Sequence, residues 1–125
     1  MYLKMVNRDK GVAFDLQHGI VEYKALGGLV VQSRLGKKDR DVLMYLINNV
    51  GRLISKDEIL HNVWVNRIVC ENTVSVALSN IRKFLKKADE DCSCLTNVSG
   101  SGYIFNPAKS GFKLEKELKV KDLVV

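Results

Sequence analysis

The chain has 125 residues, of which 46% are hydrophobic and 27% charged, a balance typical of one soluble globular domain. This composition excludes a disordered tail or a collagen-like fibre, and no apolar run approaches the roughly 20 residues that span a bilayer. Twenty basic and 14 acidic residues give a net charge of +6 and a pI near 9.3. This charge favours either a polyanionic partner or simply a solvated, lysine-rich surface. The first residues lack a secretory signal, so we expect a cytoplasmic protein.

The cysteines and histidines do not form a pattern that binds metal. Cys70, Cys92 and Cys94 are odd in number and lack a CxxC spacing, and His18 and His61 lie far apart in the chain. We therefore predict reduced thiols, no metal and no cofactor, while a redox switch at these thiols stays open. The sequence also lacks a Ser/His/Asp set, paired carboxylates in an apolar setting and a phosphate-binding loop, so we expect no enzymatic activity.

The N-terminal third predicts an antiparallel sheet, within about residues 2–34. The segments VAFDL, GIVEYKA and LVVQS are rich in β-branched and aromatic residues, and glycine-containing turns separate them. We expect about three strands.

Two helices follow the sheet. Apolar residues recur at helical spacing from Lys37 to Val50, and Gly51 is expected to end this helix. Ser55 and Glu58 form a capping box, in which the serine hydroxyl accepts from a helical amide and the glutamate reaches back. This box predicts the start of a second helix, and residues 65–70 then form a loop.

A third helix is predicted from about Thr73 to Ala88, so that the three helices cover about residues 37–88. Its apolar residues recur at spacings of three and four, which predicts one buried side. Asn72 or Thr73 is a candidate N-cap. The opposite side carries small polar residues followed by the basic stretch Arg82, Lys83, Lys86 and Lys87.

A β-hairpin is predicted after the third helix, within about residues 94–106. The segments LTNVS and GYIFN flank Gly100, Ser101 and Gly102, and glycines permit such a tight turn. We therefore assign residues 1–106 to one domain and residues 107–125 to a C-terminal tail or linker. The alternation of apolar and charged residues after Gly111 leaves a strand, a short helix and a linker open.

This order of elements is typical of an α+β winged helix-turn-helix, whose last helix enters the major groove of DNA. Ser75, Ser79 and Asn80 offer short donors and acceptors for base edges, and the methyl groups of Thr73 or Val76 suit thymine methyls. Arg82, Lys83 and Lys86 would lie near phosphates and contribute salt-dependent affinity.

Three segments, GRLISKDEILHNVW, TVSVALSNIRKFL and VSGSGYIF, resemble the winged-helix DNA-binding domain of OmpR/PhoB-type bacterial transcription regulators. Their order and spacing are similar to those of the family, and with neighbouring residues they cover about residues 35–106. About 35 residues precede this region and the sheet uses them, so we expect no receiver domain. In this respect the chain is similar to the ToxR/CadC group, in which a transmembrane segment follows the DNA-binding domain.

The resemblance implies roles for individual residues. It places the recognition helix at 72–87, adding Asn72 and Ala77 to the residues that face DNA. It assigns Trp64 to a backbone contact, although a core position with the indole edge exposed is the favoured alternative. It assigns the wing to residues 95–105. It implies wing contacts from Asn97, Ser99, Ser101 and Tyr103, although Tyr103 packing under the wing is the favoured alternative. It implies a loop that contacts RNA polymerase, formed by Val65, Asn66, Arg67 and Ile68.

The expected partners are therefore double-stranded promoter DNA and RNA polymerase, with activation favoured over repression. Ser99 stands where many relatives carry arginine, and the first half of the recognition helix has few long basic side chains. We therefore expect a modest intrinsic affinity for DNA, supplemented by a homodimer on tandem half-sites or by a partner protein. A membrane is involved only if a transmembrane segment follows residue 125 in a longer chain, and a stand-alone soluble regulator is equally consistent with the sequence. The alternative is a winged helix that binds a regulator or polymerase subunit rather than DNA.

Overall fold

The computed structural model describes residues 2–65 and 68–116 of the chain. Its elements in chain order are β1 (Tyr2–Asn7), β2 (Val12–Asp15), β3 (Ile20–Lys24), β4 (Val30–Arg34), α1 (Lys37–Ile47), α2 (Lys56–Val63), α3 (Glu71–Leu85), β5 (Leu95–Val98), β6 (Gly102–Phe105) and β7 (Lys113–Lys116). The predicted order of an antiparallel sheet, three helices and a C-terminal hairpin is confirmed.

The N-terminal sheet has five antiparallel strands in the order β4-β3-β2-β1-β7, two more than the three expected. Strand β7 pairs with β1 from the other end of the described chain, so Leu114 lies opposite Met5. The aromatic ring of Phe112 meets that of Phe14 edge-on, with 5.7 Å between their centroids. The predicted domain boundary at residue 106 is therefore wrong, because residues 107–116 belong to the domain. Residues 117–125 lie outside the described part of the chain.

Helix α1 ends at Ile47, earlier than the predicted end at Gly51. The Asn49 side chain closes the turn by donating to the Tyr45 carbonyl at 2.8 Å. Gly51 has a φ of +81°, and its amide donates to the Phe105 carbonyl at 3.0 Å. The glycine therefore docks the α1–α2 connection against β6 rather than capping the helix.

Helix α2 begins with half of the predicted capping box. The Ser55 hydroxyl accepts from the Glu58 amide at 3.0 Å, as expected. The Glu58 carboxylate does not reach back to the cap. It accepts from the Tyr45 hydroxyl at 2.5 Å and from the Arg52 guanidinium, and these two interactions lower the pKa of Glu58. This cluster links α1, α2 and their connection.

The hydrophobic core lies between the sheet, the three helices and the hairpin. Its largest fully buried side chains are Phe14, Phe105, Met5, Leu43, Leu46, Ile54, Ile59, Ile81 and Leu85. Helix α3 packs on both α1 and α2, which leaves its opposite side free to face outward.

Candidate nucleic-acid interface

Helix α3 has one buried and one exposed side. The buried side chains recur at the predicted spacings of three and four residues, and they are Val74, Ala77, Leu78, Ile81, Phe84 and Leu85. The outward side, which we call the polar face of α3, consists of Asn72, Ser75, Val76, Ser79, Asn80, Lys83 and Lys86. All of these are exposed except Ser75, which is half-buried. Most of the residues expected to read bases thus share one accessible surface, whereas Ala77 is buried.

The start of α3 differs from the prediction. The helix covers residues 71–85 rather than 72–87, and its N-cap is Cys70, whose side chain makes no cap hydrogen bond. The alternative role of Asn72 or Thr73 as N-cap is therefore wrong. Thr73 is half-buried, and its hydroxyl lies 3.8 Å from the Cys70 sulfur, which lowers the pKa of that thiol. Glu71 occupies the first turn, where the helix dipole favours a negative charge.

Asn80 is tied to the first helix. Its Nδ2 donates to Oδ2 of Asp39 at 3.1 Å, across 41 positions of sequence. Burial raises the pKa of Asp39, and the hydrogen bond from Asn80 opposes that change. Sequence reasoning did not find this contact, because no local pattern reports a contact between helices so far apart in the chain.

The three cationic residues of α3 assigned to phosphates have different environments. Arg82 is half-buried, and its guanidinium donates to the Leu95 carbonyl at the start of β5, at 3.1 Å. Its predicted place at a phosphate is therefore corrected in part, since one N–H group holds the hairpin against the helix. Lys83 is exposed in the last turn of α3 and Lys86 is exposed at its C-cap, where both ammonium groups are accessible to an anion.

The predicted hairpin at residues 95–105 is present as β5 and β6, and we call it the wing. Its tip carries the exposed residues Ser99, Gly100 and Ser101, and Asn97 is also exposed. Tyr103 is only 7% exposed, so its side chain packs under the wing rather than being presented to DNA.

The wing is anchored by Ile54, a residue that sequence reasoning did not single out. The Ile54 amide donates to the Tyr103 carbonyl and the Tyr103 amide donates to the Ile54 carbonyl, both at 2.8 Å. Gly102 lets the two backbones approach, because a Cβ atom there would lie 2.2 Å from the Ile54 carbonyl oxygen. In the sequence, the glycines predicted only a turn. No local pattern around Ile54 indicated that it would pair with the hairpin.

A cleft of about 360 Å³ separates the wing from the N-termini of α2 and α3. Lys56, Asp57, Glu71, Asn97 and Ser101 are among the residues that line it. The carboxylates of Asp57 and Glu71 outnumber the single lysine of the cleft, Lys56, so the cleft is a poor site for a phosphate. The cationic groups of α3 instead lie at the other end of the helix.

Trp64 is 6% exposed and forms part of the core, in agreement with the favoured alternative. The DNA-backbone contact that the resemblance implied is therefore corrected to a packing role. Lys38 covers Trp64, with Nζ 5.9 Å from the ring centroid and 2.9 Å from the Val63 carbonyl. In the following loop, Val65 and Ile68 are highly exposed, whereas Asn66 and Arg67 lie outside the described residues.

Two buried thiols lie at the base of the wing. A hydrogen bond with the Cys94 thiol and the nearby charge of Arg82 lower the pKa of Cys92 to about 6. The same hydrogen bond and burial raise the pKa of Cys94. Cys70, Cys92 and Cys94 are all free thiols. Within residues 2–65 and 68–116, no group of three or more acidic, histidine or cysteine side chains is placed to hold a metal.

The described helices are all too short or too polar to cross a membrane.

Comparisons with known proteins agree with this architecture. Residues 31–105 match the family described as "Transcriptional regulatory protein, C terminal". The transcriptional activator CadC of Escherichia coli is 35% identical over 74 residues, which are 59% of this chain and 13% of CadC. The response regulator SaeR of Staphylococcus epidermidis is 37% identical over 73 residues, which are 58% of this chain and 32% of SaeR. The matched region thus spans a third or less of these relatives.

Solved structures of DNA-binding domains also superpose on this chain. The DNA-binding domain of E. coli CadC superposes with a TM-score of 0.63 at 25% identity, over 85% of this chain and 92% of that one. The DNA-binding domain of Klebsiella pneumoniae RstA, solved in complex with the RstA box, superposes with a TM-score of 0.55 at 28% identity. That match covers 78% of this chain and 92% of RstA. The chain belongs to the family of transcriptional regulatory proteins that carry this C-terminal domain, the OmpR/PhoB-type winged helix.

Proposed function

We propose that this chain is the DNA-binding domain of a bacterial transcription regulator, with α3 in the major groove of promoter DNA. The observation that supports this most strongly is the polar face of α3. Small hydroxyl and amide groups occupy its centre, two exposed lysines follow, and Arg82 ties the first residue of the wing to the helix. A helix of this kind fits a groove about 12 Å wide and can approach base edges closely.

The polar face divides into base-reading and phosphate-binding parts. Ser79 and Asn80 present hydrogen-bonding groups, and Val76 is 51% exposed between polar neighbours, which suits contact with a thymine methyl group. Lys83 and Lys86 are placed for phosphates and supply affinity that falls with salt. Asn97, Ser99 and Ser101 are the wing residues that we propose to lie nearest DNA, where they offer short polar contacts.

The relatives support the wider role. CadC is named a transcriptional activator, and RstA was solved with its DNA box, so we propose promoter binding that leads to activation. RNA polymerase is the proposed second partner, contacted through the exposed Val65 and Ile68. A homodimer on tandem half-sites would compensate for the modest number of basic side chains on α3. Bacterial promoters are cytoplasmic, so this activity would be carried out there.

A protein-binding winged helix is the second candidate. The observation that favours it is the apolar character of the α2–α3 loop, where Ile68 is fully exposed and Val65 is 59% exposed. Such a contact would bury apolar surface and would therefore be nearly independent of salt, unlike binding to phosphates.

The test measures fluorescence anisotropy of labelled duplexes with the purified chain over a salt series. One duplex is the site selected by this protein from a randomised pool, and the other is its scrambled counterpart. We expect Lys83→Ala to weaken binding to both duplexes alike and to reduce the salt slope by about 1, as for one lost phosphate contact. Asn80→Ala should reduce the preference for the selected duplex, by a factor on the order of ten.

Lys4→Ala is the matched control, because Lys4 is also an exposed lysine but lies on β1 of the N-terminal sheet. It removes the same charge without touching α3 and should change the slope less than Lys83→Ala. If the wild-type chain selects no sequence and binds no duplex even at low salt, direct DNA reading is refuted.

A further inference from the structure

The contact between Asn80 and Asp39 determines how Asn80 is presented to DNA. Asn80 is an exposed member of the polar face of α3, and its Nδ2 donates to Asp39 Oδ2 at 3.1 Å. An ionised carboxylate only accepts hydrogen bonds, so the amide nitrogen of Asn80 must point toward it. The amide oxygen consequently makes no hydrogen bond to Asp39 and stays available as an acceptor.

We infer that Asp39 is a positioning residue that makes Asn80 select adenine and reject guanine. This inference rests on the proposed function, in which α3 reads base edges.

The hydrogen-bonding capacity that remains on Asn80 matches adenine. An asparagine amide has two N–H donors and one oxygen acceptor, and Asp39 uses one of the donors. One N–H and the oxygen remain, and this is the pair required for bidentate contact with N7 and the N6 amino group of adenine.

The same arrangement opposes guanine. Guanine presents two acceptors, N7 and O6, in the major groove. A free asparagine can turn its amide and offer both N–H groups to them. With one N–H held by Asp39, the Asn80 oxygen would face an acceptor of guanine, which leaves an unpaired polar contact when water is excluded. Asp39 therefore adds a penalty against the wrong purine.

The contact is expected to matter more in the complex than in the free chain. In the free chain both groups can also bond to water, so this exposed hydrogen bond stabilises the fold little. In a closed DNA interface the competing water is removed, and a hydrogen bond to a charged acceptor becomes stronger. Loss of the contact should thus change base choice while leaving folding nearly unchanged.

Asp39→Asn is the most informative variant, because it keeps the shape of the side chain while adding a donor. An amide at position 39 can pair with either end of the Asn80 amide, so the fixed orientation is lost. Asp41→Asn is the charge-matched control. It removes one carboxylate from α1, and within the described residues Asp41 has no hydrogen bond to α3.

The experiment first selects the preferred site of the full wild-type chain from a randomised 25-base-pair duplex pool. Dissociation constants are then measured for that duplex and for duplexes with each adenine replaced by guanine or by 7-deazaadenine, which lacks the N7 acceptor. At one base pair of the selected site, wild type and Asp41→Asn should bind the adenine duplex more tightly than the guanine duplex by on the order of tenfold or more. Asp39→Asn and Asn80→Ala should both lose most of that preference, and the double variant should lose no more.

Each outcome has a defined meaning. If Asn80→Ala loses the adenine preference but Asp39→Asn keeps it, the positioning role is overturned while DNA reading stands. If no adenine position responds to Asn80→Ala, the inference is also overturned. If wild type enriches no sequence at all, the proposed function itself fails. An Asp39→Asn chain that loses affinity for every duplex equally indicates a structural role and overturns the inference.

Discussion

Replacing Gly102 with alanine should detach the wing from the α1–α2 connection. Gly102 has a φ of +140°, a backbone conformation that side-chain-bearing residues rarely adopt. An added Cβ would lie 2.2 Å from the Ile54 carbonyl oxygen and 2.9 Å from the Cα of Ser55. Both atoms belong to the backbone, so relief requires the two chain segments to separate.

The expected cost follows from two contributions. Forcing alanine into this conformation costs about 1–3 kcal/mol. Separation also breaks or lengthens the two 2.8 Å hydrogen bonds between Ile54 and Tyr103, each worth about 0.5–1.5 kcal/mol. We therefore expect Gly102→Ala to lower the free energy of unfolding by about 2–6 kcal/mol, a large part of the 5–15 kcal/mol that is typical of a domain.

Gly100→Ala provides the matched control for this prediction. Gly100 lies in the same turn with a φ of +71°, but a Cβ atom added there would have no neighbouring atom within 4 Å. Its substitution should cost only the conformational strain, about 1–2 kcal/mol. Urea denaturation gives both free energies, and hydrogen exchange should show faster exchange of the Ile54 and Tyr103 amides in Gly102→Ala alone. Equal destabilisation by the two substitutions, with both amides still protected, would refute the proposed anchoring.

Two further predictions concern the α2 cap and the buried thiols. Ser55→Ala should lower the free energy of unfolding by about 1 kcal/mol in urea denaturation, because the Glu58 amide loses its acceptor. The control Ser99→Ala, at the exposed wing tip, should change it by less than about 0.5 kcal/mol. Equal effects of the two substitutions would contradict the capping role of Ser55. The pKa of Cys92 is lowered to about 6, so thiolate absorbance at 240 nm should rise near that pH, and Cys92→Ser should remove the step. Between about pH 6 and the ordinary thiol pKa the folded chain binds fewer protons than the unfolded chain, so stability should rise with pH in wild type relative to Cys92→Ser. If the difference in unfolding free energy between wild type and Cys92→Ser does not change with pH across this window, the Cys92 thiol stays protonated.

Local patterns predicted the helices well. The apolar spacing of three and four in α3 gave its buried side, including Val74, Ile81 and Leu85, and the Ser55 cap gave the start of α2. These signals lie within one or two turns of a single helix, where sequence spacing maps directly onto a face. The outward side of α3, and hence most of the candidate interface, was predictable for the same reason.

Contacts between distant segments were not predictable from such patterns. The alternation around Leu114 is compatible with a strand, but only pairing with β1 decides it, and β1 lies at the other end of the described chain. The Glu58 carboxylate left its expected capping role because Arg52 and Tyr45 provide stronger, charge-assisted partners.

The charge around the polar face of α3 suggests that orientation, rather than electrostatic attraction, gives this domain its selectivity. Its cationic groups, Lys83 and Lys86, stand toward one end, while Glu71 begins the helix and Asp39 contacts its middle. Carboxylates near DNA reduce affinity for every sequence, because they oppose the phosphates. They raise the ratio of affinities between right and wrong sequences only if they fix a base-reading group, the role that we propose for Asp39 beside Asn80. A single domain built in this way would bind weakly but discriminate, so pairing of two copies on adjacent half-sites would raise affinity through effective concentration while leaving base choice unchanged.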